Sequence, residues 1–186
     1  DLDLLNRIGR DTGMTAVAGP TILTTRGSFG NALLTRWPVQ SKHRKSIALD
    51  GREPRGVIDV LLDLHGVKTR MLVTHFGLRA FERIVQAREV IRMAEGREAP
   101  LMILAGDFNE WSWRGISLRK LNRFFGPSQS VKTFPSRMPL FSLDRIWVKP
   151  SGSVSGVYAH RSRRARLASD HLPVVARVRL PGGERV

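Results

Sequence analysis

The sequence predicts a layered α/β domain, two packed sheets with helices outside, on three observations. Short apolar runs bounded by Gly, Pro, Asp and Asn recur along the chain. Few segments carry helical spacing, and only one of them is long. The 186 residues, 41% of them hydrophobic, fit one domain with a real core. No repeat, low-complexity tract or linker divides the chain, so residues 1–186 read as a single domain.

Residues 2–12 read as a helix because Leu2, Leu5 and Ile8 share a face and Gly13 supplies a stop. Short strand-like pieces follow through Thr25, then a Gly-flanked strand near residues 29–36. Pro38 restricts Trp37 to an extended conformation and marks an edge or bend. Residues 57–64 and 69–75 are strands around His65-Gly66-Val67-Lys68, the clearest hairpin. The clearest helix is 79–95, with Phe81, Ile84, Val85, Arg88, Ile91 and Ala94 at helical spacing and Gly96 as C-cap. After Pro100, Leu101–Ala105 reads as a fully buried strand, followed by a shorter helix near 117–125. Strands are expected at 142–148, 153–160 and 172–180, with an exposed basic loop at Arg161–Arg166 between the last two.

Composition excludes some chemistry. With no cysteine there is no disulfide framework, thiolate zinc site or cysteine nucleophile. No apolar run reaches the roughly 18–20 residues that cross a bilayer. No signal-peptide pattern opens the chain, and a cytoplasmic location with room for peripheral membrane contact is the expectation. The net charge of +15 draws polyanions such as nucleic acid or anionic headgroups. Yet 25 of the 31 basic residues are Arg, a bias that a GC-rich genome produces without functional demand.

Three segments place polar chemistry at strand ends: Thr74-His75-Phe76, Gly106-Asp107-Phe108-Asn109 and Ser169-Asp170-His171-Leu172-Pro173. Asp107 and Asn109 are oxygen donors two residues apart, able to serve one metal or one attacking water, or equally to close an Asx turn. Asp170-His171 alone reads as well as an N-cap and a surface imidazole, and His75 as a histidine hydrogen-bonded at the sheet rim. Asp144 sits inside the otherwise apolar strand Leu143–Val148 and needs a partner there. Arg145 alternates to the other face, so a distant His is the better candidate. Hard oxygen donors plus imidazole suit Mg²⁺ or Mn²⁺ and a phosphate better than zinc.

These segments, with Gly30–Val39 and Leu143-Asp144-Arg145-Ile146, resemble the endonuclease/exonuclease/phosphatase superfamily, its small bacterial members above all. The resemblance covers essentially the whole chain. It implies a four-layer αββα sandwich of two mainly antiparallel sheets, with the active site at one end of both. The implied activity is divalent-metal-dependent hydrolysis of a phosphoester, in nucleic acid, phospholipid or sugar phosphate. Asp107 would orient or deprotonate water with help from Asn109. His171, oriented by Asp144, would donate to a non-bridging phosphate oxygen, and His75 would assist at the phosphate or leaving oxygen. Asp170, Asp107 and Asn109 would hold the Mg²⁺ or Mn²⁺, while Asn31, Trp111 and Arg79 would contact substrate. Trp111 and Trp113 suit base stacking, core packing or a lipid interface alike.

The chain also departs from the family pattern. An N-terminal strand with an Asn, and a strand ending in Gln-Glu, are missing. The first residue is Asp1, so the chain reads as an N-terminally truncated excerpt or a processed product. None of the seven Glu residues has the Gln-Glu context, and Glu110 is expected to face away from Asn109. Weak metal binding and an exposed sheet edge are the expectations for this stretch. A non-catalytic module that binds polyanions in a basic cleft is the alternative from another class, and metal dependence separates the two. Oligomeric state is not readable.

Overall fold

A computed structural model describes residues 2–25 and 27–182. The chain opens with helix α1 (Leu2–Thr12) and an antiparallel ribbon of β1 (Thr15–Thr24) and β2 (Gly27–Thr35). Then come β3 (Val39–Ser46), β4 (Gly56–Leu64), β5 (Val67–His75), α2 (Ala80–Glu95), β6 (Leu101–Asp107) and α3 (Ile116–Phe125). A two-residue β7 (Gln129–Ser130), β8 (Asp144–Lys149), β9 (Val154–Ala159), α4 (Arg163–Ala168) and β10 (Val174–Val178) complete it.

The principal sheet has six strands in the order β3-β4-β5-β6-β8-β7. Only β5 and β6 run parallel, because α2 carries the chain back between them. The second sheet layer consists of two antiparallel ribbons, β1–β2 and β9–β10. One core, with Leu72, Phe76, Val90, Leu104, Leu121 and Trp147, fills the space between the principal sheet and helices α2 and α3. A second, with Val17, Ile58, Val60, Val148 and Leu180, lies between that sheet and the ribbons. Alternation along β8 serves both, since Trp147 joins the first and Val148 the second. With α1 against β1 and β2, the layering is helix, sheet, sheet, helix. No helix among the described residues is long and apolar enough to cross a membrane.

Four expectations need correction. The inward face of α2 is Glu82, Arg83, Gln86, Ala87, Val90 and Ala94. Of the expected stripe only Ala94 is buried, and Phe81 and Arg88 are exposed. The polar residues turn inward because each has partners. Glu82 pairs with Arg52 at 3.2 Å, Arg83 donates to Glu110, and Gln86 accepts from the Gly77 amide at 2.7 Å. Satisfied polar groups lose little on burial. Second, Val39–Ser46 is a strand that alternation does not announce. It is the outer strand of the sheet, where Lys42, Arg44 and Lys45 suit an edge. Third, the basic loop is in part the helix α4, whose N-terminus is capped by the Ser162 hydroxyl accepting from the Ala165 amide at 3.1 Å. The hairpin turn is tighter than read, with His65 and Gly66 both at positive φ, 52° and 83°, as a two-residue turn of right-handed twist requires.

Candidate active site

Strand register builds the site. Parallel pairing sets His75 beside Asp107, and antiparallel pairing sets Asp107 beside Asp144, so three chemistry-bearing residues stand in a row across β5, β6 and β8. Gly106 permits this approach. A Cβ there would lie 1.8 Å from the Thr74 carbonyl oxygen, and its φ of +155° is one that side chains rarely adopt. His171 arrives from the loop before β10, tied down where the Leu172 amide donates to the Thr133 carbonyl at 2.9 Å.

Asp107 divides its two oxygens. Oδ1 accepts from the Asn109 amide at 2.8 Å, closing the Asx turn that the spacing allowed. Oδ2 faces both imidazoles, 3.4 Å from His75 Nε2 and 4.0 Å from His171 Nε2. Asn109 takes a left-handed φ of +47°, and its amide nitrogen donates to the Phe76 carbonyl at 2.9 Å and lies 3.0 Å from His75 Nε2. Turn and functional cluster are therefore the same structure.

The two histidines sit in opposite environments. His171 Nδ1 is 2.8 Å from Asp144 Oδ2, which also accepts from the Thr133 hydroxyl at 2.6 Å. Burial opposes a charge on His171, but the Asp144 hydrogen bond and the charges of Asp144, Asp107 and Asp170 outweigh it and raise its pKa. A carboxylate only accepts, so Nδ1 carries a proton and Nε2 faces Asp107. His75 Nδ1 instead lies 3.0 Å from Arg55 Nη1. Guanidinium only donates, so Nδ1 accepts and the proton sits on Nε2, toward Asp107, which leaves the approach of the donor-only Asn109 Nδ2 to Nε2 a contact and not a hydrogen bond. Burial first, and Arg55 second, lower the His75 pKa.

Other expected residues are placed as follows. Arg145 is on the opposite face of β8 from Asp144, as alternation required, with Nη1 3.5 Å from Ser128 Oγ. Glu110 faces away from the site, bonded to Arg83 and to the Ser117 hydroxyl at 2.7 Å. Asp170 is exposed and outside the cluster, its carboxylate 3.5 Å from the Ser169 hydroxyl. Asn31 donates to the Gly56 carbonyl at 2.8 Å, beside Arg55 rather than beside Asp107. Trp111 meets Phe134 and Phe141 edge-on, and the Phe134 ring lies 4.8 Å from that of His171. Arg79 is the exposed N-cap residue of α2, with no side-chain hydrogen bond at that cap.

Sequence reasoning missed Arg55 and Thr133. Arg55 is buried, bonds Glu53 through Nη2 at 3.0 Å, and leaves its buried Nε without a partner. A lone Arg after Pro54 has no spacing signal, and neither has a lone Thr in a loop. Among the described residues, Asp107, Asp144 and His171 offer ligand atoms that all lie within 4.8 Å of one another, and no glutamate joins them. The two carboxylates are hard oxygen donors that fit a divalent cation such as Mg²⁺ or Mn²⁺. A cleft of about 370 Å³ lined by Asp144, Ser169, His171 and Pro173 opens beside them.

Comparison with known proteins bears on this arrangement directly. The uncharacterized protein YbhP of Escherichia coli is 32% identical over 174 residues, spanning 87% of this chain and 67% of YbhP. Among solved structures, an endonuclease/exonuclease/phosphatase from Bacteroides vulgatus superposes with a TM-score of 0.78 at 16% identity, covering 96% of this chain and 81% of that one. The mannosyl-6-phosphatase Bt3783 of Bacteroides thetaiotaomicron gives 0.67 at 18% identity, covering 93% and 80%. Residues 3–171, the stretch that holds His75, Asp107, Asp144 and His171, match the sequence model of one family. On that match the chain belongs to the Endonuclease/Exonuclease/phosphatase family.

Proposed function

We propose that this chain carries the hydrolytic site of a divalent-metal-dependent phosphoester hydrolase. The observation that carries the proposal is the convergence on one carboxylate oxygen, Asp107 Oδ2, of two imidazoles whose surroundings shift their pKa values in opposite directions. Paired groups whose surroundings push their pKa values apart mark acid and base roles.

Asp107 Oδ2 orients the attacking water and takes its proton as the new P–O bond forms. Cationic His171 donates from Nε2 to a non-bridging phosphate oxygen, where negative charge grows in the transition state. Asp144 is a positioning residue, since it fixes the His171 ring and favours its charge. Neutral His75, held by Arg55, presents an Nε2–H beside the phosphate. The ester P–O bond breaks and the leaving oxygen departs with a proton from solvent or a neighbouring imidazolium. Asp107, with Asp144 near, would hold the Mg²⁺ or Mn²⁺. When bound, that ion neutralises charge on the phosphoryl group. Asp170 and Asn109 are the further oxygen donors proposed for the ion, and Asn31, Trp111 and Arg79 are proposed substrate contacts.

A panel of duplex DNA, RNA, phospholipid headgroups, sugar phosphates and aryl phosphates with Mg²⁺ or Mn²⁺ tests the reading. Turnover that chelation abolishes, and that His171→Ala lowers about 10²-fold or more with little change in melting temperature, supports it. Equal loss of activity and stability removes His171 from the chemistry. Polyanion binding that survives chelation with no hydrolysis favours a non-catalytic module.

A further inference from the structure

We propose that the mouth of this site docks on an anionic phospholipid bilayer, and that the phosphoester it takes is a lipid headgroup presented there. The second half rests on the hydrolase reading above, whereas the first does not.

Large apolar side chains ring the mouth and are turned to solvent. Trp113 is 75% exposed, Leu167 68%, Met138 64% and Leu78 63%. Contacts tie their segments to the site. Phe134 lies against His171, and Trp111 against Phe134. The Ser136 amide donates to the Asp170 carbonyl at 2.7 Å, so the loop bearing Met138 flanks the Ser-Asp-His segment. The Ser136 hydroxyl donates to the Arg166 carbonyl at 3.2 Å, which brings α4 and Leu167 alongside. Arg83 bonds both the Leu78 carbonyl and Glu110, the residue after Asn109. Exposed apolar residues gathered around a functional mouth mark an interaction surface.

Charge selects the partner. Between Glu110 and Asp170 the chain has one acidic residue, Asp144, against twelve Lys and Arg. Asp144 is turned to His171, so Asp170 is the one exposed acidic group on a face of these segments that is otherwise cationic. Arg114, Arg137, Arg163 and Arg164 are interleaved with the apolar residues and exposed. Indole at headgroup depth, aliphatic side chains below it and arginine on phosphate is the pattern of interfacial binding. A single-stranded nucleic acid needs aromatic faces for its bases. Leu78, Met138 and Leu167 offer none, the Trp113 face carries the Arg114 guanidinium at 4.4 Å, and the exposed Trp111 is packed edge-on with Phe134 and Phe141.

The test uses sedimentation with vesicles of phosphatidylglycerol and phosphatidylcholine, or phosphatidylcholine alone, at about 0.15 M salt. Quenching of tryptophan by brominated acyl chains reports insertion, with hydrolysis of a soluble aryl phosphodiester and of the vesicle headgroups in parallel. Wild type should pellet with the anionic vesicles and be quenched, and Trp113→Ser should lose most of the quenching. Met138→Ser/Leu167→Ser should bind vesicles about tenfold more weakly and lose headgroup turnover, while keeping turnover of the soluble ester. Pelleting that the apolar substitutions leave unchanged, without quenching, is electrostatic adsorption and overturns the docking surface. An oligothymidylate that displaces vesicles at equal phosphate concentration and quenches Trp113 overturns it in favour of nucleic acid. Docking as expected with only the soluble ester cleaved removes the lipid substrate. Docking with neither ester cleaved sinks the hydrolase reading and leaves the surface standing.

Discussion

Asp144→Asn separates positioning from packing, because the amide keeps the shape of the carboxylate and loses its charge. In the folded protein His171 titrates above the ordinary imidazole value of 6.5. Its catalytically competent cation therefore persists to higher pH than that of an ordinary imidazole and is lost as pH rises through the raised pKa. Asp144 Oδ2 at 2.8 Å supplies a charge-assisted hydrogen bond to that cation. Such a bond is worth about 1.5–3 kcal/mol net, which at about 1.4 kcal/mol per decade is roughly tenfold to 150-fold in rate. With the Asp144 charge gone, burial is left opposing only the charges of Asp107 and Asp170, so the alkaline limb of kcat/KM moves to lower pH. The loss should be largest above neutrality and shrink as the assay is made acidic. The assay is a pH profile on whichever ester the substrate panel identifies, with the His171 ring followed by NMR. The stability linkage has the same sign: wild type has His171 stabilisation in full below the unfolded pKa and loses it as pH rises through the folded pKa. A uniform loss at every pH, with the limb unmoved, would refute the positioning role.

Arg55→Met removes the donor facing His75 Nδ1, so the His75 pKa should rise toward its ordinary value while burial still holds it down; NMR titration checks this, and an unmoved ring rules out the assignment. His75 has the opposite linkage to His171, its contribution being present above the unfolded pKa and lost as pH falls through the lowered folded pKa, which Arg55→Met should blunt in acid unfolding. Arg70→Met strands the buried Asp59 carboxylate, which Arg70 grips through Nε and Nη2 at 2.8 Å each, and frees carbonyls at the end of α2. Urea unfolding should report a loss of about 3–5 kcal/mol, and Arg70→Met/Asp59→Leu should recover much of it; a loss below about 1 kcal/mol would sink this account.

The parts of this protein legible in its sequence are those written in one dimension. Leu101–Ala105 is apolar throughout because it is buried on both faces, and the helix ending at Glu95 is announced by Gly96. Asp107, Asp144 and His171 drew notice because polar groups at strand ends need explaining. The α2 face was not legible, since the buried Glu82, Arg83 and Gln86 each have a partner 27 to 39 residues away. Val39–Ser46 was hidden because an edge strand facing solvent has no alternation to show. Arg55 was hidden for a third reason. Its function resides in a contact with His75, and nothing in Glu53-Pro54-Arg55-Gly56 encodes that contact.

Protonation lies further still from sequence, and it divides the work between the two imidazoles. His75 and His171 belong to similar surroundings by motif, each beside a strand end and each within 4.0 Å of Asp107 Oδ2. Distance to that shared carboxylate cannot set them apart. What differs is the second nitrogen of each ring, which meets a donor-only guanidinium in His75 and an acceptor-only carboxylate in His171. The first partner needs a lone pair and so disfavours a second ring proton, whereas the second fixes a proton on Nδ1 and its charge, with those of Asp107 and Asp170, favours the cation. Asp107 is thereby held between one ring that can only share its proton and one that can give it away. An attacking water and a charge-accumulating phosphate oxygen need that asymmetry.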